Sequence, residues 1–276
     1  MSDNRVRCVI SQGVADVRLN RPDKMNALDP AMFEAIAEIG ERLATDTSVK
    51  AVVLSGEGRG FCAGLDKERL EAISRGESLL PFADLTRASH GVANWAQHIV
   101  WQWHELPVPV IAAVHGVAFG GGLQLALGAD IRYVTANTQM SILEIKWGLV
   151  PDMSGTLLMR HLASDDIVKE LTFTGRIFSG HEAVAYGLAT RVVDDPHSTA
   201  MKVAEEIAGR SPHAVRAAKR LLNRAATCDP ATVMASERAE QHALIASPNQ
   251  VEAVSANLAN RLPQFVDPKL GTFEEV

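Results

Sequence analysis

The hydrophobic and polar positions of the N-terminal segment form two short runs that are typical of β-strands. VRCVIS and VADVRL, both rich in β-branched residues, flank the pair Gln12-Gly13, and this order predicts a β-hairpin. In the following segment, LDPAMFEAIAEIGERLA, apolar residues recur every three or four positions, which predicts a helix. Asp29 is the expected N-cap of this helix, and Pro30 is its expected first residue.

Two later runs are apolar without interruption. AVVLSG and PVIAAVHG each end in glycine, and continuous apolar runs of this length are typical of parallel strands that are covered on both faces. A glycine-rich loop and a segment of helical composition follow each run. This order predicts an α/β architecture for residues 1–195.

The pattern changes after residue 195. SPHAVRAAKRLL, DPATVMASERAEQHALIA and SPNQVEAVSANLAN each begin with Ser or Asp followed by Pro, and then continue in residues that favour helices. Residues 196–276 are therefore interpreted as a helical C-terminal region. Its stripes of Ala, Val and Leu fit either closure of the core or a subunit interface, and the pattern does not separate these alternatives.

Composition and charge limit the classes of function that this chain can have. A chain of 276 residues, 47% of them hydrophobic, can bury one large core. The net charge of −6 argues against nucleic acid and against an anionic membrane surface, because both attract clustered Lys and Arg. The uncharged stretch 106–129 is long, but Pro107, Pro109 and five glycines would break a helix that spans a membrane.

The cysteines and the N-terminal segment bear on location and metal content. Three cysteines without a C-x-x-C pair indicate neither a disulfide framework nor a zinc site, and a reducing cytoplasm is the expected location. Residues 1–10 do not have the basic and apolar layout of a signal peptide. The histidines show no H-E-x-x-H spacing, and no metal is expected.

Two strand-and-loop units, AVVLSGEGRGFCAGLD and PVIAAVHGVAFGGGLQLALGAD, carry the candidate chemistry. A glycine-rich loop that enters a helix exposes unpaired backbone N–H groups, which favour a negative charge. Two such loops side by side can direct two donors at one oxygen, as in an oxyanion hole. Neither loop continues into G-K-[ST], and G-x-S-x-G does not occur, so phosphoryl transfer and serine hydrolysis lack their central residues.

Four motifs together resemble a known family. RPDKMNAL, GRGFCAGLD, PVIAAVHGVAFGGGLQLALGADI and GLVPDMSGT resemble, in this order, the signatures of the crotonase superfamily of enoyl-CoA hydratases and isomerases. The resemblance implies a spiral of β-β-α units with a C-terminal helical oligomerisation region. It also implies an acyl-CoA thioester as substrate and a homotrimer or a dimer of trimers. Coenzyme A would be part of the substrate, and no separate cofactor is expected.

The resemblance also assigns roles at the thioester. The backbone N–H groups of Leu65 and Gly121 are expected to bind the carbonyl oxygen, and the absence of a side chain lets a glycine backbone approach a ligand closely. Hydratases of the family use two glutamates. Gln124 stands where the first is expected, and an amide cannot accept a proton there, although it can hold water or acyl atoms. Glu144 stands at the second position.

Two carboxylates are candidates for proton transfer. Burial of Glu144 within SILEIKWGL would raise its pKa toward that of a general base, and the alternative is a surface pair with Lys146. Asp152 lies eight residues after Glu144, the spacing found in dienoyl-CoA isomerases of the family, and the alternative is a cap for a helix that begins near Gly155.

These residues leave more than one function open. Two carboxylates beside an extended acyl chain favour double-bond isomerisation, with Glu144 as the main acid–base residue and Asp152 as the second. Hydration of a 2-enoyl-CoA is the close alternative if Gln124 orients the water. A CoA-ester-binding protein without catalysis is a further alternative, whereas a dinucleotide-dependent dehydrogenase is disfavoured because G-x-G-x-x-G is absent after the first strand.

An acidic protein needs local basic groups to bind the phosphates of CoA. The family's motifs suggest the following CoA-binding residues: Arg21, Lys24, Ala63, Asp66 and Lys67.

Overall fold

The computed structural model describes residues 5–80 and 82–269. The part of residues 196–276 beyond position 269 lies outside this description. Within the described ranges there are nine strands: β1 (Val6–Ser11), β2 (Val14–Leu19), β3 (Ala51–Gly56), β4 (Val110–Val114), β5 (Val117–Phe119), β6 (Ile131–Val134), β7 (Gln139–Ser141), β8 (Phe178–Ser179) and β9 (Arg191–Val192).

Eleven α-helices of the same ranges connect and cover the strands. They are α1 (Pro30–Thr45), α2 (Lys67–Ser74), α3 (Trp95–Glu105), α4 (Gly121–Leu127), α5 (Gly155–Met159), α6 (Asp165–Thr174), α7 (Gly180–Ala185), α8 (Pro196–Ala208), α9 (Pro212–Ala225), α10 (Pro230–Leu244) and α11 (Pro248–Leu258). Short 3₁₀ helices form at Pro22–Lys24 and at Glu144–Trp147.

The strands form one large and one small sheet. The order of the large sheet is β1-β2-β3-β4-β6-β9, in which β1 and β2 are antiparallel and all other neighbours are parallel. The small sheet has the order β5-β7-β8. This is the mixed α/β architecture that the uninterrupted apolar runs predict.

Strand β3 shows why these runs are apolar at every position. Val52 and Leu54 point into the main core, together with residues of α1, α3 and α4. Ala51 and Val53 point to the opposite face and pack near Ala200 of α8. Because successive side chains of a strand alternate between the two faces, a strand covered on both faces needs apolar residues throughout.

The region after residue 195 divides into two parts. Helix α8 lies directly on the large sheet, so it belongs with the α/β core that was predicted to end at residue 195. Helix α9 is attached to the core by Lys219, whose Nζ donates to the carbonyl oxygens of Trp103 and Val108 at 3.1 and 3.0 Å. The same ammonium pairs with Asp130 at 2.7 Å.

The predicted local elements are confirmed where their sequence signals are strongest. The hairpin forms β1 and β2, and α1 begins at Pro30, where the side chain of Asp29 accepts a hydrogen bond from the N–H of Met32 at 2.8 Å. The three predicted C-terminal helices are α9, α10 and α11, each with a proline in its first turn. Within the described ranges no helix combines the length and apolar character of a membrane span.

Candidate active site

A cavity of about 730 Å³ opens where the glycine loops after β3 and β5 meet the segment after β7. Of the residues predicted for the site, the cavity is lined by Lys24, Ala63, Leu65, Asp66, Lys67, Gly121, Glu144 and Asp152. Neither Arg21 nor Gln124 is among its lining residues. The structure thus brings together groups that are up to 128 positions apart in the chain, from Lys24 to Asp152.

The direction of the N–H of Leu65 follows from the hydrogen bonds that its neighbours, Gly64 and Asp66, make with Leu28. Leu28 donates to the carbonyl oxygen of Gly64 at 2.8 Å and accepts from the N–H of Asp66 at 3.0 Å. In such a parallel bridge, the carbonyl oxygen of Gly64 and the N–H of Asp66 point toward Leu28. The N–H of Leu65 points the opposite way, away from Leu28. No acceptor in the described part of the chain takes the N–H of Leu65 or that of Gly121.

The two glycine loops approach each other at Gly64. Its φ is +81°, and a Cβ there would lie 2.4 Å from the carbonyl oxygen of Phe119. The same position would be 3.6 Å from the backbone nitrogen of Gly121. Only glycine permits both the backbone angle and this approach, and the residues that follow in the two loops, Leu65 and Gly121, line the same cavity.

Asn26 holds the first loop in place, a role that the sequence analysis did not assign. Its fully buried side chain donates to the carbonyl oxygens of Gly60 and Phe61 at 2.9 and 3.1 Å. Its Oδ1 accepts from the N–H of Arg21 at 2.7 Å. The thiol of Cys62 donates to the carbonyl oxygen of Asn26 at 3.1 Å, and burial raises the pKa of this thiol to about 12.

Glu144 is a buried carboxylate at the wall of the cavity. It is 9% exposed, and its Oε1 accepts from Nε2 of Gln124 at 2.6 Å. Among the described residues, Oε2 has no hydrogen-bond partner, and no ion pair joins the buried Glu144 to the exposed Lys146. Burial, with a smaller contribution from the charge of Asp152, raises the pKa of Glu144. The surface-pair alternative for Glu144 therefore does not hold.

Asp152 is exposed, and it lines both the main cavity and a smaller cleft of about 160 Å³ beside Trp101. Protein atoms still surround the carboxyl group closely enough that desolvation raises its pKa. Helix α5 has Ser154 as its N-cap residue, without a side-chain cap. Asp152 is therefore not the cap of this helix.

The side chain of Gln124 makes three hydrogen bonds to protein groups. Its Oε1 accepts from the backbone N–H groups of Met153 and Gly155 at 2.8 and 3.0 Å, and its Nε2 donates to Glu144. The side chain is 2% exposed. The carboxamide was expected to contact acyl atoms or water; Gln124 is not among the residues that line the cavity, and its role toward acyl atoms or water stays a prediction.

Some of the residues predicted to bind CoA pair with other protein groups, and others lie exposed at the cavity. Arg21 forms an ion pair with Asp66, and both side chains are mostly buried. Burial acts to raise the pKa of Asp66, but hydrogen bonds from Glu68 and from Arg21 outweigh it and hold this pKa below its usual value. Lys24 is half exposed at the cavity, 3.5 Å from Glu68, and Lys67 is exposed. Arg21 thus has a structural role that its motif did not reveal.

Besides Lys67 and Glu68, the segment 67–105 lines the cavity with aliphatic residues. Leu70, Ile73, Leu79 and Leu85 form that part of the wall. Trp103 is fully buried in the core and does not line the cavity.

Comparisons with known proteins identify the family of the chain. A sequence model described as enoyl-CoA hydratase/isomerase matches residues 9–268. The 1,2-epoxyphenylacetyl-CoA isomerase of Escherichia coli (strain K12) is 33% identical over 258 residues, 93% of this chain and 96% of that protein. The mitochondrial methylglutaconyl-CoA hydratase of Mus musculus is 31% identical over 264 residues, 92% of this chain and 80% of that protein.

A solved structure gives the same result for the fold. The crystal structure of an enoyl-CoA hydratase from Polaromonas sp. JS666 has a TM-score of 0.84 and 27% sequence identity, and the match covers 95% of this chain and 99% of that chain. The chain therefore belongs to the enoyl-CoA hydratase/isomerase family, the crotonase-fold enzymes that act on acyl-CoA thioesters.

Proposed function

We propose that this enzyme moves a carbon–carbon double bond along the acyl chain of an enoyl- or dienoyl-CoA. One observation carries the proposal. Glu144 and Asp152 line the same cavity as Leu65 and Gly121, whereas Gln124 does not line it. The cavity therefore offers two groups for proton transfer and two donors for an oxyanion.

In this mechanism the thioester oxygen accepts hydrogen bonds from the N–H groups of Leu65 and Gly121. Glu144 takes a proton from carbon 2, and the electron pair of the broken C–H bond delocalises into the thioester and the neighbouring double bond. Asp152 gives a proton to the far carbon, and the double bond shifts. Removal of one oxyanion donor typically reduces such a rate by about 10²–10³-fold.

The raised pKa values of Glu144 and Asp152 support these roles in proton transfer. An acid–base group is most effective when its pKa lies near the working pH, and burial moves the pKa of Glu144 upward from its ordinary value. Desolvation does the same for Asp152, which favours a protonated carboxyl group that can donate. Lys24 and Lys67 lie at the cavity wall and supply positive charge for the CoA phosphates. No cofactor is needed for this proton transfer.

Hydration of a 2-enoyl-CoA is the second candidate. Oε2 of Glu144 has no hydrogen-bond partner within the described residues, so this oxygen is free to hold a water molecule. A relative named methylglutaconyl-CoA hydratase supports hydration, just as a relative named 1,2-epoxyphenylacetyl-CoA isomerase supports isomerisation. In both candidates Glu144 is the residue that handles the proton at carbon 2.

Turnover in heavy water distinguishes the candidates. Dialysed enzyme is incubated with 2-enoyl-, 3-enoyl- and 3,5-dienoyl-CoA, and the products are resolved by mass. Isomerisation predicts a moved double bond with deuterium incorporated and no added water, and loss of that product in both Glu144→Gln and Asp152→Asn. Glu206→Gln, which changes an exposed carboxylate on α8, is the matched control and should keep full turnover.

Other outcomes overturn the proposal. Addition of water that depends on Glu144 but not on Asp152 would make the enzyme a hydratase. Binding of CoA esters without any turnover would favour the third alternative, a CoA-ester-binding protein. In that case Glu144→Ala would leave the affinity for the ester unchanged.

We also propose a homotrimer or a dimer of trimers as the assembly. Large apolar side chains are exposed on and beside the C-terminal helices, including Leu222, Leu258 and Leu262 at 72, 80 and 88% exposure. Exposed apolar surface of this kind is typical of an interface. Light scattering of the purified enzyme tests the assembly, and a monomeric mass would contradict it. A cytoplasmic location stays a prediction that cell fractionation tests.

A further inference from the structure

The two N–H groups assigned to the thioester oxygen lie at the same number of residues from one short pairing between the glycine loops. Cys62 of the first loop and Ala118 of β5 form a parallel bridge. Leu65 follows Cys62 by three residues, and Gly121 follows Ala118 by three residues. A shift at this bridge therefore changes the distance between the two N–H groups.

The backbone of Cys62 is closely packed at this bridge. Its N–H donates to the carbonyl oxygen of Val117 at 3.0 Å, and its carbonyl oxygen accepts from the N–H of Phe119 at 3.1 Å. A Cβ at Gly122 would lie 2.3 Å from the same carbonyl oxygen. The second loop therefore follows the position that the first loop gives to Cys62.

Asn26 holds the first loop just before this bridge. Its Nδ2 lies 3.0, 2.9 and 3.1 Å from the carbonyl oxygens of Glu57, Gly60 and Phe61. Its own carbonyl oxygen accepts from the thiol of Cys62 at 3.1 Å. One fully buried side chain thus fixes the turn that leads into the bridge.

The backbone on both sides of Asn26 binds the part of the loop that follows the bridge. The carbonyl oxygen of Met25 accepts from the N–H of Ala63 at 2.9 Å, and the N–H of Leu28 donates to the carbonyl oxygen of Gly64 at 2.8 Å. The loop is therefore held by this segment both before and after its bridge residue.

The backbone of this segment is left-handed at two successive residues. The φ angles of Met25 and Asn26 are +48° and +57°. Asparagine adopts this region more readily than most residues with a side chain. An asparagine at position 26 therefore suits both the backbone angle and the contacts with the loop.

We propose that Asn26 is a positioning residue for the oxyanion hole, and that its hold on the loop before Cys62 fixes the distance between the N–H groups of Leu65 and Gly121. The inference rests on the oxyanion hole of the proposed function. Asn26 does not line the cavity, so it acts through the loop and not on the substrate. Such a hole stabilises a transition state because its donors are in place before the reaction.

Asn26→Asp tests this role with little change in shape. Aspartate also tolerates the left-handed region, and it keeps an acceptor for the N–H of Arg21. However, it directs a carboxylate oxygen at the carbonyl oxygens of Gly60 and Phe61, and the repulsion should displace the loop. We expect kcat/KM to fall by about 10²-fold, the lower end of the loss typical of one missing donor. The affinity for a saturated acyl-CoA should change by less than the rate.

The infrared band of the thioester carbonyl measures the hole without turnover. Hydrogen bonds to this oxygen lower its stretching frequency, so a saturated acyl-CoA with a ¹³C-labelled carbonyl should absorb at lower frequency when bound to the wild type than when free. In Asn26→Asp the band should move back toward the frequency of the free ester. At low pH the introduced carboxyl group becomes protonated and can donate, so part of the wild-type shift should return.

Asn249→Asp is the matched control. Asn249 is a buried asparagine of α11, and its Nδ2 donates to the carbonyl oxygen of Val266 at 2.8 Å. This variant should lower the melting temperature but leave kcat/KM and the carbonyl band at their wild-type values. The control thus separates a loss of stability from a displacement of the oxyanion hole.

Cys62→Ala covers the case in which Asn26→Asp does not fold. It removes only the thiol that donates to Asn26, and it should move the carbonyl band in the same direction by a smaller amount. A wild-type band in every folded variant of this pair would overturn the inference. A wild-type complex whose band equals that of the free ester would instead contradict the oxyanion hole of the proposed function.

Discussion

Nε2 of Gln124 donates a hydrogen bond of 2.6 Å to Oε1 of Glu144, the buried carboxylate of the cavity. The other end of the same carboxamide accepts from the backbone N–H groups of Met153 and Gly155, on either side of Ser154 and just after Asp152. One neutral side chain therefore contacts the carboxylate of Glu144 and the backbone that follows Asp152. Because an amide does not take up a proton, Gln124 makes these contacts without competing for the protons that the carboxylates transfer.

Replacement of Gln124 by Leu should reduce activity most strongly at low pH. Without the donor Nε2, the ionised form of Glu144 loses a hydrogen bond, and the pKa of Glu144 rises further. A base with a higher pKa becomes active only at higher pH, so the acidic limb of the kcat/KM profile should move to higher pH. The backbone N–H groups of Met153 and Gly155 also lose their acceptor, and each buried orphan costs about 1–3 kcal/mol.

Gln124→Glu is the matched variant, since it keeps the acceptor for both backbone N–H groups. Two carboxylates at hydrogen-bond distance share one proton, which again moves the acidic limb to higher pH. The melting temperature at pH 5 should stay near the wild-type value, unlike that of Gln124→Leu. An unchanged pH profile in both variants would show that Gln124 does not act on the pKa of Glu144.

Glu144→Gln should be inactive but more stable than the wild type at neutral pH. The pKa of Glu144 is raised on folding, so the folded protein binds more protons than the unfolded chain at pH values between the ordinary and the raised pKa. Stability therefore falls as the pH rises through this window, and the loss persists above it. Glutamine removes this penalty while its Oε1 still accepts from Gln124.

Thermal unfolding at a series of pH values measures the difference. At pH 8 we expect the melting temperature of Glu144→Gln to exceed that of the wild type by a few degrees, since about 1 kcal/mol corresponds to roughly 2–4 °C in a chain of this size. The two curves should converge as the pH falls toward 4.5, the ordinary pKa of a glutamate. A constant difference at every pH would point to packing and not to the charge.

Much of the fold could be predicted from local signals. The proline after an Asp or Ser cap marks the start of α1, α9, α10 and α11, because its fixed φ suits the first turn of a helix. The uninterrupted apolar run of β3 indicates burial on both faces. Packing of α8 onto the sheet could not be predicted, because an amphipathic helix pattern does not specify the partner of its apolar face.

The site was predictable from residue type and order but not from contacts. The glycine loops and the two carboxylates follow from their motifs, and the structure brings them to one cavity. The pairing of Arg21 with Asp66 depends on tertiary contact between residues that are 45 positions apart, and the pairing of Gln124 with Glu144 on contact between residues that are 20 apart.

Gly64→Ala should disrupt the proposed oxyanion hole. A methyl group there would lie 2.4 Å from the carbonyl oxygen of Phe119, at a φ of +81° that alanine disfavours. The two loops must move apart, and the N–H groups of Leu65 and Gly121 should then no longer bind the thioester oxygen together. We expect kcat/KM to fall by about 10²–10³-fold, the loss typical of one missing donor, with a lower melting temperature.

Gly121→Ala is the control for this effect. Its methyl group would meet the flexible ends of Met153 and Leu28, at 2.8 and 3.0 Å, and would leave the N–H of residue 121 in place. The variant should therefore lose much less kcat than Gly64→Ala, with a change mainly in KM. Equal losses of kcat in the two variants would contradict the assignment of the N–H groups.

Substitutions of Arg21 and Lys24 should affect different properties. A change at Arg21 should lower the stability of the fold, and a change at Lys24 should weaken substrate binding. Arg21→Gln removes one partner of a mostly buried ion pair and leaves Asp66 without its counter-charge, a change that typically costs about 3–5 kcal/mol. We expect a clear drop in melting temperature.

Lys24→Gln changes a half-exposed side chain at the cavity. Its loose pairing with Glu68 contributes little to stability, so the melting temperature should stay constant. The KM for a CoA thioester should rise severalfold, and the rise should shrink in high salt, because salt screens the attraction between an exposed ammonium and phosphate. An increase in KM for Arg21→Gln at unchanged melting temperature would instead make Arg21 a direct ligand of CoA.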